Sequence, residues 1–305
     1  MTVSHFLFQR LSCVFSSTTQ MEEDSSLLRI SHKNCFILIY YRMKIATRNV
    51  NGIRAIADKW FVDRITTNDL DIVCIQEPKA FDHQIPASLQ SLSYDYDYIW
   101  HAGTRPGYAG TAIFYKKKFW QLPGNNTFAW YDLLHDDGRI TEVTIDKLKI
   151  INWYFPNGWS RADGREMLSY KLNFYDQIIW YVQSLQSQGF QTIVTGDFNI
   201  VHTPIDIARP KENENTIWFL PIERAKIGSF IDQTQSLDMF RNLHPEQLDA
   251  YTRRSYRAGA RPRNVGRRID YMMVDHSVWT HNIISCDHQN DVMWSDHCPV
   301  ILEIK

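Results

Sequence analysis

From residue 43 onward, short apolar runs alternate with stretches whose apolar positions recur every three or four residues. The runs "KIATRNV" (44–50), "LDIVCIQE" (70–77), "GTAIFYKK" (110–117), "ITEVTID" (140–146), "LKIINWYFP" (148–156), "FQTIVTGDFNIV" (190–201), "RRIDYMMVD" (267–275) and "CPVILEIK" (298–305) predict strands. Helical spacing predicts helices over 53–67, 165–189 and 220–234. Gly189 closes the second, and Pro221 falls in the first turn of the third, where a missing N–H costs nothing. Many strands, short loops and a few helices predict an α/β sandwich.

The strand ends carry the chemistry. Polar residues gather where apolar runs stop or start: "NVNG" (49–52), "QEPK" (76–79), "YFPNG" (154–158), "GDFN" (196–199), "RIDY" (268–271) and "SDHCP" (295–299). A strand that turns polar at its last residues aims those side chains at one rim of its sheet. That rim would hold Asn49, Glu77, Asp197, Asn199, Asp270, Asp296 and His297. Carboxylates, amides and one histidine, with no thiolate, suit a hard oxygen-seeking ion, Mg²⁺ or Mn²⁺. Each turn alone is common in structural roles: "GDFN" and "PNG" are ordinary turns and "SDH" is a capped loop. Their joint occurrence carries the argument.

Composition narrows the partners. The 305 residues carry a formal charge of −1, with 44% hydrophobic residues and 22% charged. A near-neutral total with a local basic cluster fits an enzyme with a basic binding face and an acidic site. Five cysteines (Cys13, Cys35, Cys74, Cys286, Cys298) form no CxxC pair, against a disulfide scaffold or zinc site and for a reducing, cytoplasmic setting. The longest apolar run, "FILIYY" (36–41), is too short to span a bilayer. Residues 1–42 read as a leader: disordered, or upstream of a natural start at Met43, with a transit peptide as the other reading.

Beyond that leader the sequence resembles the exonuclease III family of AP endonucleases, within the endonuclease/exonuclease/phosphatase superfamily. The resemblance rests on "NVNGIRA", "IQEPK", "YFPNG", "GDFNIVHTPIDIARPKEN", "FLPIER", "SYRAGARPRNVG", "RIDY" and "SDHCPV", and runs from Met43 to Lys305. It implies a DNase I-like four-layer sandwich, with two packed mixed β-sheets flanked by helices. It implies a Mg²⁺-dependent nuclease acting on duplex DNA 5′ to abasic sites and at 3′ ends; the sequence itself gives no sign of oligomerisation, and a monomer is the default. Glu77 would be the main metal ligand, with Asn49 and Asp296 close by; Asp197, Asn199 and His297 complete the candidate ligand set. Asp197 would orient or deprotonate the attacking water. Tyr154 and Asn199 would bind phosphate oxygens. His297, steadied by Asp270, would stabilise the charge on the phosphorane-like transition state. Two other readings stay open: a DNA-binding protein with a decayed nuclease, and a phosphatase or RNase of the same superfamily.

The stretch 251–271, "YTRRSYRAGARPRNVGRRIDY", holds seven arginines against one acid. Arg261 and Arg263 are expected phosphate contacts, with Arg54, Lys79 and Asn157 from the catalytic turns; Arg257 and Arg268 read as loop charges. The family places aromatics where this chain has Arg48, Arg253, Arg254 and Arg267. Positions 253 and 267, with Ile269, would wall the pocket for an abasic sugar. Arg48, inside a strand, is expected to be a buried charge without a partner. Three readings of the exchange stay open: charge-driven binding, a weakened enzyme, or tryptophan codons read as arginine, which one base separates.

Overall fold

The computed structural model describes residues 20–24, 27–32, 35–40, 42–119, 137–159 and 167–305. The Ser/Thr-rich first nineteen residues, the start of the expected leader, lie outside the described residues. The chain divides into two compact units, Met1–Met43 with Lys305, and Lys44–Ile304. In the first, β1 (Gln20–Asp24), β2 (Leu27–His32) and β3 (Cys35–Tyr40) form an antiparallel sheet in sequence order.

The second unit is built on two sheets. One has the order β13-β14-β4-β5-β7-β6, from β4 (Met43–Asn49), β5 (Ile72–Gln76), β6 (Tyr96–His101), β7 (Thr111–Lys116), β13 (Ile283–His288) and β14 (Val300–Ile304). The other has the order β11-β12-β10-β9-β8, from β8 (Ile140–Ile145), β9 (Leu148–Tyr154), β10 (Gln191–Asp197), β11 (Ser236–Asp238) and β12 (Asp270–Asp275). Both are mixed: β4–β5 and β9–β10 run parallel, while β5–β7 and β10–β12 run antiparallel. The expected two-sheet sandwich flanked by helices is the observed fold.

Helices α2 (Met167–Ser187) and α3 (Pro221–Gln233) cover the five-stranded sheet, as their apolar spacing predicts. Trp153, Phe155, Phe174, Tyr175, Phe198 and Phe230 fill the layer between them, with Phe155 and Phe198 stacked at 4.4 Å. Truncating one such ring to alanine costs about 3–5 kcal/mol. Gly189, at φ 78, ends α2: its N–H meets Gln186 O at 2.9 Å and that of Phe190 meets Leu185 O at 3.1 Å. This paired closure needs a left-handed residue, which glycine adopts without strain. Pro221 opens α3 as expected.

The predicted helix 53–67 is instead three pieces: a 3₁₀ turn (Ile53–Ala55), a π turn (Ala57–Phe61) and α1 (Val62–Thr67). Ala57, Phe61 and Ile65 are all buried at four-residue spacing. Residues four apart share one helix face, so the same face stays against the core through the π turn. Where the sheets face each other, Gln76 Nε2 donates to Asn152 Oδ1 at 2.6 Å and to Thr47 Oγ1 at 2.9 Å. Asn152 Nδ2 in turn donates to Ile75 O, Ala112 O and Thr141 Oγ1 at 3.0 Å each. These bonds use the Gln76 amide N–H groups and both ends of the Asn152 amide, and they tie the two sheets together at one level.

That tie sets the rim. Asn49 stands opposite Gln76, one residue before Glu77, while Asp197 stands between Tyr154 and Asp270. The polar ends of five strands therefore meet on one edge of the sandwich.

Candidate active site

Asp197 is the hub of this edge. It ends β10, is 2% exposed, and receives Asn49 Nδ2 on Oδ2 at 2.9 Å and the Asn199 backbone N–H on Oδ1 at 3.0 Å. His297 Nε2 lies 3.9 Å from Asp197 Oδ2, and its Nδ1 meets both Asp270 oxygens at 3.0 and 2.9 Å. On the other side, Asn49 Nδ2 also donates to Glu77 Oε1 at 2.8 Å, and Lys79 Nζ meets Glu77 Oε2 at 2.7 Å. Asp296 accepts Asn51 Nδ2 at 3.1 Å and Arg253 Nε at 3.1 Å. The Tyr154 hydroxyl hydrogen-bonds Glu77, and Arg139 lies over its ring at 4.9 Å. Glu77 and Asn199, where the chain leaves its strands, both sit at φ 53. Such left-handed non-glycine residues concentrate where a side chain must be re-aimed.

Burial and charge set the protonation states. Burial raises the Asp197 carboxyl to about 7, against the opposing pull of His297. Burial alone would lower His297, yet the Asp270 charge and hydrogen bond carry it to about 9. Burial likewise opposes ionisation of Glu77, but the Lys79 ammonium holds its carboxyl below the usual range. Burial and the Glu77 charge push the Tyr154 phenol well up, so it remains a neutral donor. An acid poised near neutrality beside a retained imidazolium is an arrangement that can divide base and electrostatic roles. Asp197, Asp270 and His297 also form a group that could hold a metal ion.

Residues 46–297 match the Endonuclease/Exonuclease/phosphatase family. The chain belongs to that family. It is 35% identical over 263 residues to an exodeoxyribonuclease of Bacillus subtilis, covering 86% of this chain and 99% of the relative. It is 32% identical over 261 residues to a DNA-(apurinic or apyrimidinic site) endonuclease of Dictyostelium discoideum, covering 85% and 70%. The AP endonuclease structure from Archaeoglobus fulgidus superposes with a TM-score of 0.73 at 26% identity, covering 85% of this chain and 98% of that one. The protein is a phosphodiester hydrolase of the DNA-repair branch of this family.

The remaining predicted residues divide in position. Lys79 lies inside the candidate centre, bridging Glu77 and, at 2.5 Å, Asn51 Oδ1. Arg54, Asn157 and Arg263 are exposed on loops leaving the rim. Arg261 donates to Asn290 O at 3.1 Å and Ser295 O at 3.0 Å, tying two loops together. Asn199 Nδ2 donates to Phe155 O at 2.9 Å, bracing the turn after β10. Ile269 is buried, and Arg253 and Arg267 are partly exposed beside the centre.

Two expectations about the arginines need correcting. Arg268 is no loop charge: it is fully buried, with fork contacts of 2.8 and 2.9 Å to Asp206 and 2.9 and 2.6 Å to Asp238. Two carboxylates offset the desolvation of one guanidinium. Arg48 is buried as expected but has partners: Nε donates to His297 O at 3.1 Å and Nη2 to Met293 O at 2.7 Å. These are carbonyls rather than carboxylates, and burial lowers its pKa to about 9.

Two contributors escaped the motif reading. Lys171 on α2, fully buried, donates to Asn199 O at 2.6 Å and Glu223 Oε1 at 2.5 Å. Glu223 accepts Leu220 N at 3.1 Å through its other oxygen, so it caps α3 as well. The pair thus buttresses the turn that carries Asp197 and Asn199. The signal was present, because Lys171 falls on the buried stripe of Met167, Phe174, Tyr175 and Ile178.

Proposed function

We propose that residues 43–305 form a Mg²⁺-dependent nuclease that hydrolyses phosphodiesters 5′ to abasic sites. The same site would remove nucleotides or blocking groups from 3′ ends of duplex DNA, leaving a 3′-OH. The observation that carries this reading is Asp197, placed between the Asn49–Glu77 pair and the His297–Asp270 pair.

The donor set fits a hard divalent ion. Glu77 and Asp296 each already face a cation, Lys79 at 2.7 Å and Arg253 at 3.1 Å, and both carboxyls are held below their usual range. Asp270 commits both oxygens to His297. Glu77, Asn49 and Asp296 are therefore the better ligands, with Asp197, Asn199 and His297 bordering them, and Mn²⁺ would substitute for Mg²⁺. The ion would supply charge neutralisation and in-line orientation at the phosphate.

The side chains do the rest. Asp197, with its pKa near neutrality, takes the proton of the attacking water. His297, kept cationic by Asp270, donates to the oxygen on which charge develops. Tyr154 and Asn199 hydrogen-bond the phosphate. Arg54, Lys79, Asn157, Arg261 and Arg263 contact the strand. The test is a duplex carrying one abasic analogue, incubated with Mg²⁺ or with EDTA. Incision 5′ to the lesion that requires Mg²⁺ is expected; equal incision in EDTA sinks the mechanism.

A further inference from the structure

Beside the centre, three segments share short antiparallel bridges. Arg253 pairs with Arg267 on one side and with His297 on the other. The backbone bonds between Arg253 and Arg267 are 2.9 and 3.0 Å, so two guanidiniums start from facing positions. Arg253 is neutralised by Asp296 at 3.1 Å. Among the described residues, the Arg267 guanidinium meets no carboxylate and no hydrogen-bond acceptor. It lies over the ring of Trp218 at 3.8 Å. Trp218 is itself held edge-on by Trp159 at 5.1 Å. Stacking fixes the plane of a guanidinium while leaving its N–H edge available for a bidentate oxygen acceptor. Burial first, and then the Arg253 charge, lower Arg267 to about 10, so it stays cationic at neutral pH. Asp197 and Asp296 attract this partly buried cation without reaching it in an ion pair, and Arg253 repels it, so its N–H edge has no anion in direct contact.

We infer that Arg267, seated on Trp218 and flanked by Arg253, is a specificity-determining anion subsite. It takes a carboxylate or phosphate that the substrate carries beyond the phosphorus under attack, as on a 3′ end left by an oxidised sugar. This rests on the proposed nuclease reading and sharpens its substrate class. An apolar pocket wall selects a sugar without a base; a fixed guanidinium selects an acidic remnant.

The test separates the two claims by measuring binding without turnover. Two labelled nicked duplexes are titrated with the full chain in EDTA, one ending in a 3′-phosphoglycolate and the other in its neutral amide. The wild type should bind the acid form roughly tenfold to hundredfold tighter, the range of one charge-assisted hydrogen bond. In Arg267→Gln that ratio should fall to near one. A ratio near one in the wild type overturns the inference. So does an unchanged ratio in the variant, including the case where both duplexes weaken equally because Arg267 holds a strand phosphate. Failure of cleavage with Mg²⁺ while the acid preference persists would count against the nuclease reading alone.

Discussion

Replacing Asp270 with asparagine keeps the shape beside His297 and removes the charge. In the wild type His297 stands at about 9 rather than the ordinary 6.5, even though burial works in the opposite direction. That difference is worth about 3 kcal/mol in favour of the imidazolium. At about pH 7.5 the wild-type ring is protonated in roughly thirty molecules for every neutral one. Without Asp270, burial still lowers the ring and only the weaker Asp296 and Asp197 charges oppose it, so the ring titrates well below 9. A ring returned to its ordinary value carries the imidazolium in about one molecule in ten at that pH. Wild-type kcat/KM should rise as Asp197 ionises near 7 and fall as His297 deprotonates near 9. In Asp270→Asn the descending limb should move down from about 9 toward the ascending one. Cleavage at about pH 7.5 should then drop at least tenfold, with no pH restoring it. The linkage has the same sign. A His pKa raised on folding contributes stability that is full below 6.5 and lost as pH rises toward 9. The variant's unfolding free energy should therefore depend less on pH across that interval. The assay is a pH profile of kcat/KM, paired with an NMR titration of the His297 ring. A descending limb that stays near 9 in Asp270→Asn would refute the reasoning.

Two further variants probe the supports. Lys171→Met leaves Glu223 buried without its cation, since both side chains are fully buried. It should destabilise the fold by about 3–5 kcal/mol in urea titrations, and adding Glu223→Gln should recover part of the loss. No loss in the single variant would mean that the pair is dispensable. Trp294 is held at φ 75 while 56% exposed, and a left-handed backbone costs a residue with a Cβ about 1–2 kcal/mol. Trp294→Gly should therefore be about 1 kcal/mol more stable than Trp294→Ala, the reverse of the usual order. Thermal melts in which alanine is the more stable would remove the strain.

Much of the candidate site was legible because each of its turns follows or precedes a buried strand. Apolar runs that stop at Asn49, Gln76, Tyr154 and Asp197 announce a polar rim without reference to pairing. The register that sets Asp197 between Tyr154 and Asp270 was not legible, because it depends on long-range pairing of three strands. Lys171 was missed for a related reason. A lone lysine on a helix reads as solvated until Glu223, distant in sequence, is placed against it. Arg268 failed the same way, because Asp206 and Asp238 lie in other segments and adjacent arginines in a basic loop suggest solvent. The break in the 53–67 helix was not legible either, because its buried positions keep the four-residue spacing of an unbroken helix.

The central claim is that Asp197 activates the water while neighbouring groups bind the DNA. Single-turnover incision of an abasic duplex by Asp197→Asn, with binding measured on the same material, tests it most directly. The account predicts incision reduced by at least about a hundredfold, the lower range for a positioned general base, with affinity for the duplex retained. Full-rate incision by Asp197→Asn, or loss of DNA binding in proportion to the loss of rate, would contradict it.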